Sequence, residues 1–158
     1  MQIAITGHRE LPVPTVNLVD MAVRQWLAEH TGTALTGLTC LADGADSIFA
    51  QAVLDASGSL VVVVPAAEYR DGLPAEHHPT YDALISRAAE VVRLGHREST
   101  SQSHMDASMY MLGRADRLLA VWDGEPARGY GGTADIVEAA EQRGVPVIVI
   151  WPDGASRG

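Results

Sequence analysis

An α/β domain is predicted, with one doubly wound parallel sheet of about six strands and helices on both faces. Three observations predict it. Short apolar runs alternate with amphipathic segments from one end of the chain to the other. The apolar runs are nearly continuous, as expected of strands buried on both faces of a parallel sheet. Glycine and proline punctuate the joins, so that each strand runs through a loop into a helix. At 158 residues the chain has room for one well-sized core.

The elements follow in order. Residues 2–6 read as a short buried strand. Residues 15–30 read as a helix, with Val16, Val19, Val23, Trp26 and Leu27 at helical spacing behind Pro14. Residues 34–39 are a second strand, and residues 45–56 a helix closed by Gly58. Residues 60–64 form the clearest strand, because a run of valines favours the pleated conformation. A loop rich in Pro, Gly and charge spans 65–79, and residues 80–89 are helical. Residues 91–94 make a fourth strand, 95–103 a polar loop, and 104–113 a Met-rich helix. Residues 118–122 are a fifth strand, followed by a glycine-rich loop over 123–132. Residues 133–143 form a helix that Gly144 ends, and 147–151 the last strand. The domain is expected over 1–152, with 153–158 a flexible tail. Connections of this kind are right-handed, so the sheet is Rossmann-like.

Composition narrows the function. Acids outnumber bases 20 to 11, a net charge of −9. That balance argues against nucleic acid, whose binding needs clustered basic residues, and leaves room for a small phosphorylated ligand as partner, which a few local donors can hold. Every basic residue besides histidine is Arg, so a lysine Schiff base and a P-loop lysine are excluded. The single Cys40 allows no internal disulfide, which fits a reducing cytoplasm. No apolar run approaches the ~20 residues that span a bilayer, so no membrane partner is expected. The first residues read as a strand and not a signal peptide, and a cytoplasmic location is expected.

Ligands of open parallel sheets sit at the carboxyl ends of the strands, so the loops after strands hold the candidate residues. After the first strand come Gly7, His8 and Arg9. Gly7 permits a sharp turn, and Arg9 carries a planar fork suited to phosphate. After the second come Asp43, Gly44 and Asp46, where a helix opens with free amides. Asp43 or Asp46 either caps that helix or binds a ribose hydroxyl. After the fifth come Trp122, Asp123 and Gly124, then Gly131, Gly132 and Thr133, a glycine-rich run into a helix N-terminus that can cradle an anion. After the third, Tyr69 is placed to stack on a base. His77, His78, His96 and His104 have no metal-site spacing and read as solvated loop residues; no metal site is assigned. Met105, Met109 and Tyr110 would give one helix an apolar face for a homodimer, although core packing accounts for the same residues.

Thr6-Gly7-His8-Arg9, Gly37, Ala42-Asp43-Gly44-Ala45-Asp46, Val121-Trp122-Asp123-Gly124 and Gly131-Gly132-Thr133-Ala134-Asp135 together resemble the SLOG superfamily. These are Rossmann-like proteins related to DNA-processing protein A and to the LOG proteins. The resemblance runs over nearly the whole chain. It implies a nucleotide or nucleotide-derived ligand, with phosphate on the Gly131-Gly132-Thr133 turn and a divalent cation as an accompanying option. Adenine or guanine nucleotides, a dinucleotide, ADP-ribose or a molybdenum cofactor all suit such a cradle. LOG-type members cleave N-glycosidic bonds with a P-G-G-x-G-T-x-x-E motif. Aligned on Gly132-Thr133, that motif has Arg128 for its Pro, Tyr130 for its second Gly and Ile136 for its Glu. Ile136 cannot ionise. The expected function is therefore ligand binding as a sensor or carrier. The alternative is a LOG-like or deoxyribosyltransferase-like N-glycosidase acting on nucleoside 5′-monophosphates through displaced carboxylates, Asp135, Glu138 or Asp46.

Overall fold

The computed structural model describes residues 1–32, 34–127 and 129–157. Six strands form one sheet: β1 (Gln2–Gly7), β2 (Thr36–Thr39), β3 (Ser59–Ala66), β4 (Glu90–His96), β5 (Arg117–Val121) and β6 (Val147–Ile150). Their order is β4-β3-β2-β1-β5-β6, and every pairing is parallel. Five helices connect them: α1 (Val13–His30), α2 (Ala45–Asp55), α3 (His78–Ile85), α4 (Ser101–Arg114) and α5 (Thr133–Gln142). The chain steps outward from β1 to β4 through α1 to α3. It then crosses back through α4 to β5 on the other side of β1. Right-handed crossovers therefore put α1 to α3 on one face and α4 with α5 on the other.

The central strands are apolar because both faces are covered. Ile3, Leu38, Leu60, Val62, Val63 and Leu119 are wholly buried, and Phe49 of α2 fills the space above β2. Burying side chains of this size supplies roughly 1.5–3 kcal/mol each before entropy is subtracted. The edge strands are more open: Val91 of β4 and Val149 of β6 are exposed.

Several boundaries differ from the sequence expectation. The 65–79 loop contains two short 3-10 turns, Arg70–Gly72 and Ala75–His77, and α3 begins at His78. Helix α4 starts at Ser101 because Thr100 accepts from the Ser103 amide at 3.1 Å while Ser103 Oγ accepts from the Thr100 amide at 2.9 Å. This is a capping box with serine in place of the usual Glu or Gln. Replacing Thr100 by alanine is expected to cost about 1 kcal/mol of stability, read from urea denaturation midpoints. The chain after β6, expected to be a flexible tail, is tied to α1: the Ser156 amide donates to Thr15 Oγ1 and Thr15 Oγ1 donates to the Ser156 carbonyl, both at 2.9 Å. Core packing, the other account of the Met105, Met109 and Tyr110 face, fits where these side chains lie. Met105 and Met111 are buried, Met109 and Tyr110 pack against the core, and Arg114 lies over the Tyr110 ring.

Candidate functional site

The sheet order fixes where a cleft opens. β1 and β5 are neighbours, but the chain leaves them toward opposite faces. The loops after them diverge and leave a cleft of about 620 Å³ between residues 6–10 and residues 122–134. This is the topological switch point of a doubly wound sheet.

One wall is the glycine-rich loop running into α5. Gly131 takes φ +84°, the left-handed region, and its amide donates to Asp135 Oδ2 at 2.9 Å. The Gly132 amide donates to the Gly129 carbonyl at 3.3 Å. These two amides are therefore spent on the loop itself, which corrects the expectation that Gly131 and Gly132 offer theirs to a ligand. The opening amides of the helix, Thr133 and Ala134, have no acceptor among the described residues. Both residues line the cleft, and the Thr133 hydroxyl has no hydrogen bond among the described residues. The helix N-terminus thus faces the cleft with unspent donors and its positive dipole end. Trp122 also lines the cleft, its Nε1 donating to the Glu125 carbonyl at 2.8 Å. Asp123 Oδ1 accepts from the Glu125 amide at 3.0 Å, and Gly124 supplies the φ of +83° that this turn requires.

The opposite wall is the loop after β1. His8 is buried against the edge of Trp151, with ring centroids 5.5 Å apart. Its Nε2 accepts from the Asp123 amide at 3.1 Å and lies 3.2 Å from Asp123 Oδ1. Burial opposes ionisation of Asp123, but the Glu125 amide, His8 and Arg157 outweigh it and hold the carboxyl below its ordinary range. His8 and Asp123 thus lock the two walls together. Arg9 donates through Nε to Asp43 Oδ1 at 2.9 Å, while Asp43 Oδ2 accepts from the Glu10 amide at 3.1 Å. Asp43 therefore aims Arg9 and does not cap α2. The terminal nitrogens of Arg9 have no partner among the described residues, and its side chain is 43% exposed.

Gly7 and Gly44 are packing residues first. A Cβ at Gly7 would lie 2.5 Å from that of Ala45 and 2.8 Å from that of Val121. Gly44 takes φ +82°, and a Cβ there would lie 2.6 Å from the His8 carbonyl oxygen. The Ala45 amide donates to that carbonyl at 3.2 Å. The N-terminus of α2, expected to offer free amides to the ligand, is thus partly closed by the loop after β1.

Asp46 and Tyr69 do not line the large cleft. They line a second, smaller pocket of about 100 Å³, which shares Thr6, Gly7 and Arg9 with the first. Tyr69 is only 4% exposed, so it is not a stacking residue on an open surface. Burial pushes the Asp46 carboxyl up to about 7, against the Ala42 amide that donates to Oδ2 at 3.2 Å. Burial also raises the Tyr69 hydroxyl and the Cys40 thiol well above their ordinary values.

The remaining predicted residues separate. Asp135 spends its carboxylate on Gly131, Glu138 is exposed and outside the cleft lining, and Ile136 is buried in the core. Arg128 lies outside the described residues. Sequence reading missed Arg157, which lines the cleft with Nη1 3.7 Å from Asp123 Oδ2. Nothing in its local sequence signals that role; only the tie between Ser156 and Thr15 brings it there. Two histidines also differ from expectation. His77 is buried, with Nε2 2.9 Å from the Leu41 carbonyl oxygen, and His104 lines the small pocket. Among the described residues no three His, Cys, Asp or Glu side chains converge on a metal position. No helix among them is long and apolar enough to cross a membrane.

Fold and cleft together define a doubly wound α/β protein with a cleft at the sheet's switch point. No protein-family model and no curated protein matches the chain. Solved structures do. DNA processing protein A from Streptococcus pneumoniae is similar with a TM-score of 0.71 and 17% identity over 97% of this chain and 51% of that one. The chain spans about half the length of that protein. DNA processing protein A from Helicobacter pylori, described for its single-stranded DNA binding mode, gives a TM-score of 0.69 at 12% identity over 99% and 68% of the two chains. The molybdenum cofactor binding protein of Rippkaea orientalis gives 0.57 at 14% identity over 96% and 77%. The chain thus shares its fold with these DNA processing protein A and molybdenum cofactor binding structures. One expectation is overturned. The exclusion of nucleic acid rested on net charge, yet a neighbour with this fold binds single-stranded DNA. Net charge sums the whole surface, whereas binding answers to the local field of one cleft.

Proposed function

We propose that the chain binds a phosphorylated, nucleotide-type ligand in the cleft between the loops after β1 and β5, as a sensor or carrier. One observation carries this reading: the unspent Thr133 and Ala134 amides and the free end of Arg9 line the same cleft. A helix N-terminus with spare amides, a hydroxyl and a guanidinium suits a phosphate monoester. Asp43 keeps Arg9 aimed, and the His8–Asp123 contact keeps the walls at a fixed separation. Names among the structural neighbours, a single-stranded DNA binder and a molybdenum cofactor binder, are in keeping with a ligand in this fold. The glycosidase alternative gains no support from Asp135, which is bonded to the loop, or from Glu138, which is outside the cleft.

Ala134→Asp tests the assignment. An aspartate at the second position of a helix favours the fold through the dipole, so the variant should stay folded. Its carboxylate would sit where the phosphate is placed. Calorimetry with nucleoside 5′-monophosphates is expected to show at least a tenfold loss of affinity. Unchanged affinity in the folded variant would remove the phosphate from α5. A short single-stranded oligonucleotide binding far more tightly than any mononucleotide would make the ligand a polymer instead.

A further inference from the structure

The small pocket beside the main cleft contains more unspent polar groups than packing explains. It lies beyond the ends of β1, β2 and β3 and is closed by α4. Asp46 Oδ2 is used by the Ala42 amide, while Oδ1 has no partner among the described residues. The hydroxyls of Thr6, Tyr69 and Ser108 have none either, and all three residues line the pocket. Tyr69 is the telling case. It is nine-tenths buried, its ring is held edge-on by His104 at 5.5 Å and tilted against Tyr81 at 6.3 Å, and its hydroxyl is left unpaired. The hydroxyl opens on the pocket, so a rigidly held donor is presented to whatever occupies it.

The walls say what kind. Ile5, Cys40, Pro65 and Met111 make apolar surface beside the polar edge formed by Asp46, Tyr69, Ser108 and Thr6. A flat heterocycle has apolar faces and a polar rim, and matches both. A second phosphate does not, because it would lie against apolar side chains and against Asp46, which repels it once ionised. We propose that this pocket receives the base end of the ligand, a neutral heterocyclic ring whose rim hydrogen bonds to Asp46, Tyr69, Ser108 and Thr6. The inference rests on the phosphate reading above, because Thr6, Gly7 and Arg9 line both cavities and join them. The phosphate and sugar then occupy the main cleft, and the ring passes Arg9 into the inner pocket.

The test compares adenosine and guanosine 5′-monophosphates with ribose 5-phosphate on wild type, Tyr69→Phe and Asp46→Asn. Phenylalanine keeps the buried ring and removes only the hydroxyl. Asparagine keeps an acceptor for the Ala42 amide and, in titrations at pH 8 where Asp46 is ionised, puts a donor where the unspent oxygen was. The expected result is that the better-bound nucleotide loses about tenfold in affinity in each variant, while ribose 5-phosphate is unchanged. Equal losses for nucleotide and sugar phosphate, or no loss for either, would overturn the base pocket alone. So would wild-type protein that binds ribose 5-phosphate as tightly as the nucleotides. Failure of wild type to bind any of the three would overturn the phosphate reading and this inference with it.

Discussion

Gly7→Ala is expected to destabilise the protein by about 2–3 kcal/mol, the upper part of the range for overpacked cores. The added methyl meets the Cβ atoms of Ala45 and Val121 at 2.5 and 2.8 Å. Neither neighbour is the flexible end of a long side chain. Ala45 is the first residue of α2 and Val121 the last of β5, so either the helix lifts off the sheet or the β1–β5 pairing opens. Lifting α2 also stretches the Ala45 amide to His8 carbonyl hydrogen bond of 3.2 Å. The measurement is the urea midpoint at constant slope, with Gly95→Ala as control, since a Cβ at Gly95 meets nothing within 4 Å. A loss at Gly7 no larger than at Gly95 would mean that α2 is not seated on β1 in this way.

That seating also shows where sequence reading reached its limit. Gly7 and Gly44 were legible as glycines at the ends of strands, and the usual inference from such glycines is close approach of a ligand. Here the close approach is made by the protein itself, by the Cβ atoms of Ala45 and Val121 at Gly7 and by the backbone of His8 and Arg9 at Gly44. The difference lies in how two loops remote in sequence meet, and no periodicity encodes it. The strands were legible because a parallel sheet buried on both faces forces continuous apolar runs. The glycine loop into α5 was legible as an anion cradle, but its division of labour was not. Asp135 closes back on the Gly131 amide four residues earlier, leaving Thr133 and Ala134 as the open donors. The spacing of Gly131 and Asp135 carries a weak signal of that turn. Tyr69 was legible only as a loop aromatic, because its burial depends on His104 and Tyr81 from other elements. Arg157 reaches the cleft from a tail whose composition predicts fraying.

Asp46 should make stability fall with pH in a range where most proteins are at their steadiest. Its carboxyl is raised from an ordinary 3.8 to about 7, chiefly by burial. Below about pH 4 the group is protonated in both folded and unfolded chains, and it contributes no difference. Between about 4 and 7 the unfolded chain releases the proton while the folded chain holds it, so stability declines. Above about 7 the full penalty applies: a carboxylate sits in the pocket with one oxygen unpaired. At 1.36 kcal/mol per pKa unit the total comes to roughly 2–4 kcal/mol, reduced toward the lower figure because solvent reaches the pocket. Asp46→Asn carries no proton and keeps the Ala42 hydrogen bond. The variant is therefore expected to match wild type near pH 4.5 and to exceed it by several degrees in Tm at pH 8. Parallel Tm curves for the two proteins across that range would show that Asp46 ionises freely. The direction matters for the binding test as well. A variant more stable than wild type at neutral pH cannot lose nucleotide affinity by unfolding, so any loss seen in Asp46→Asn belongs to the pocket.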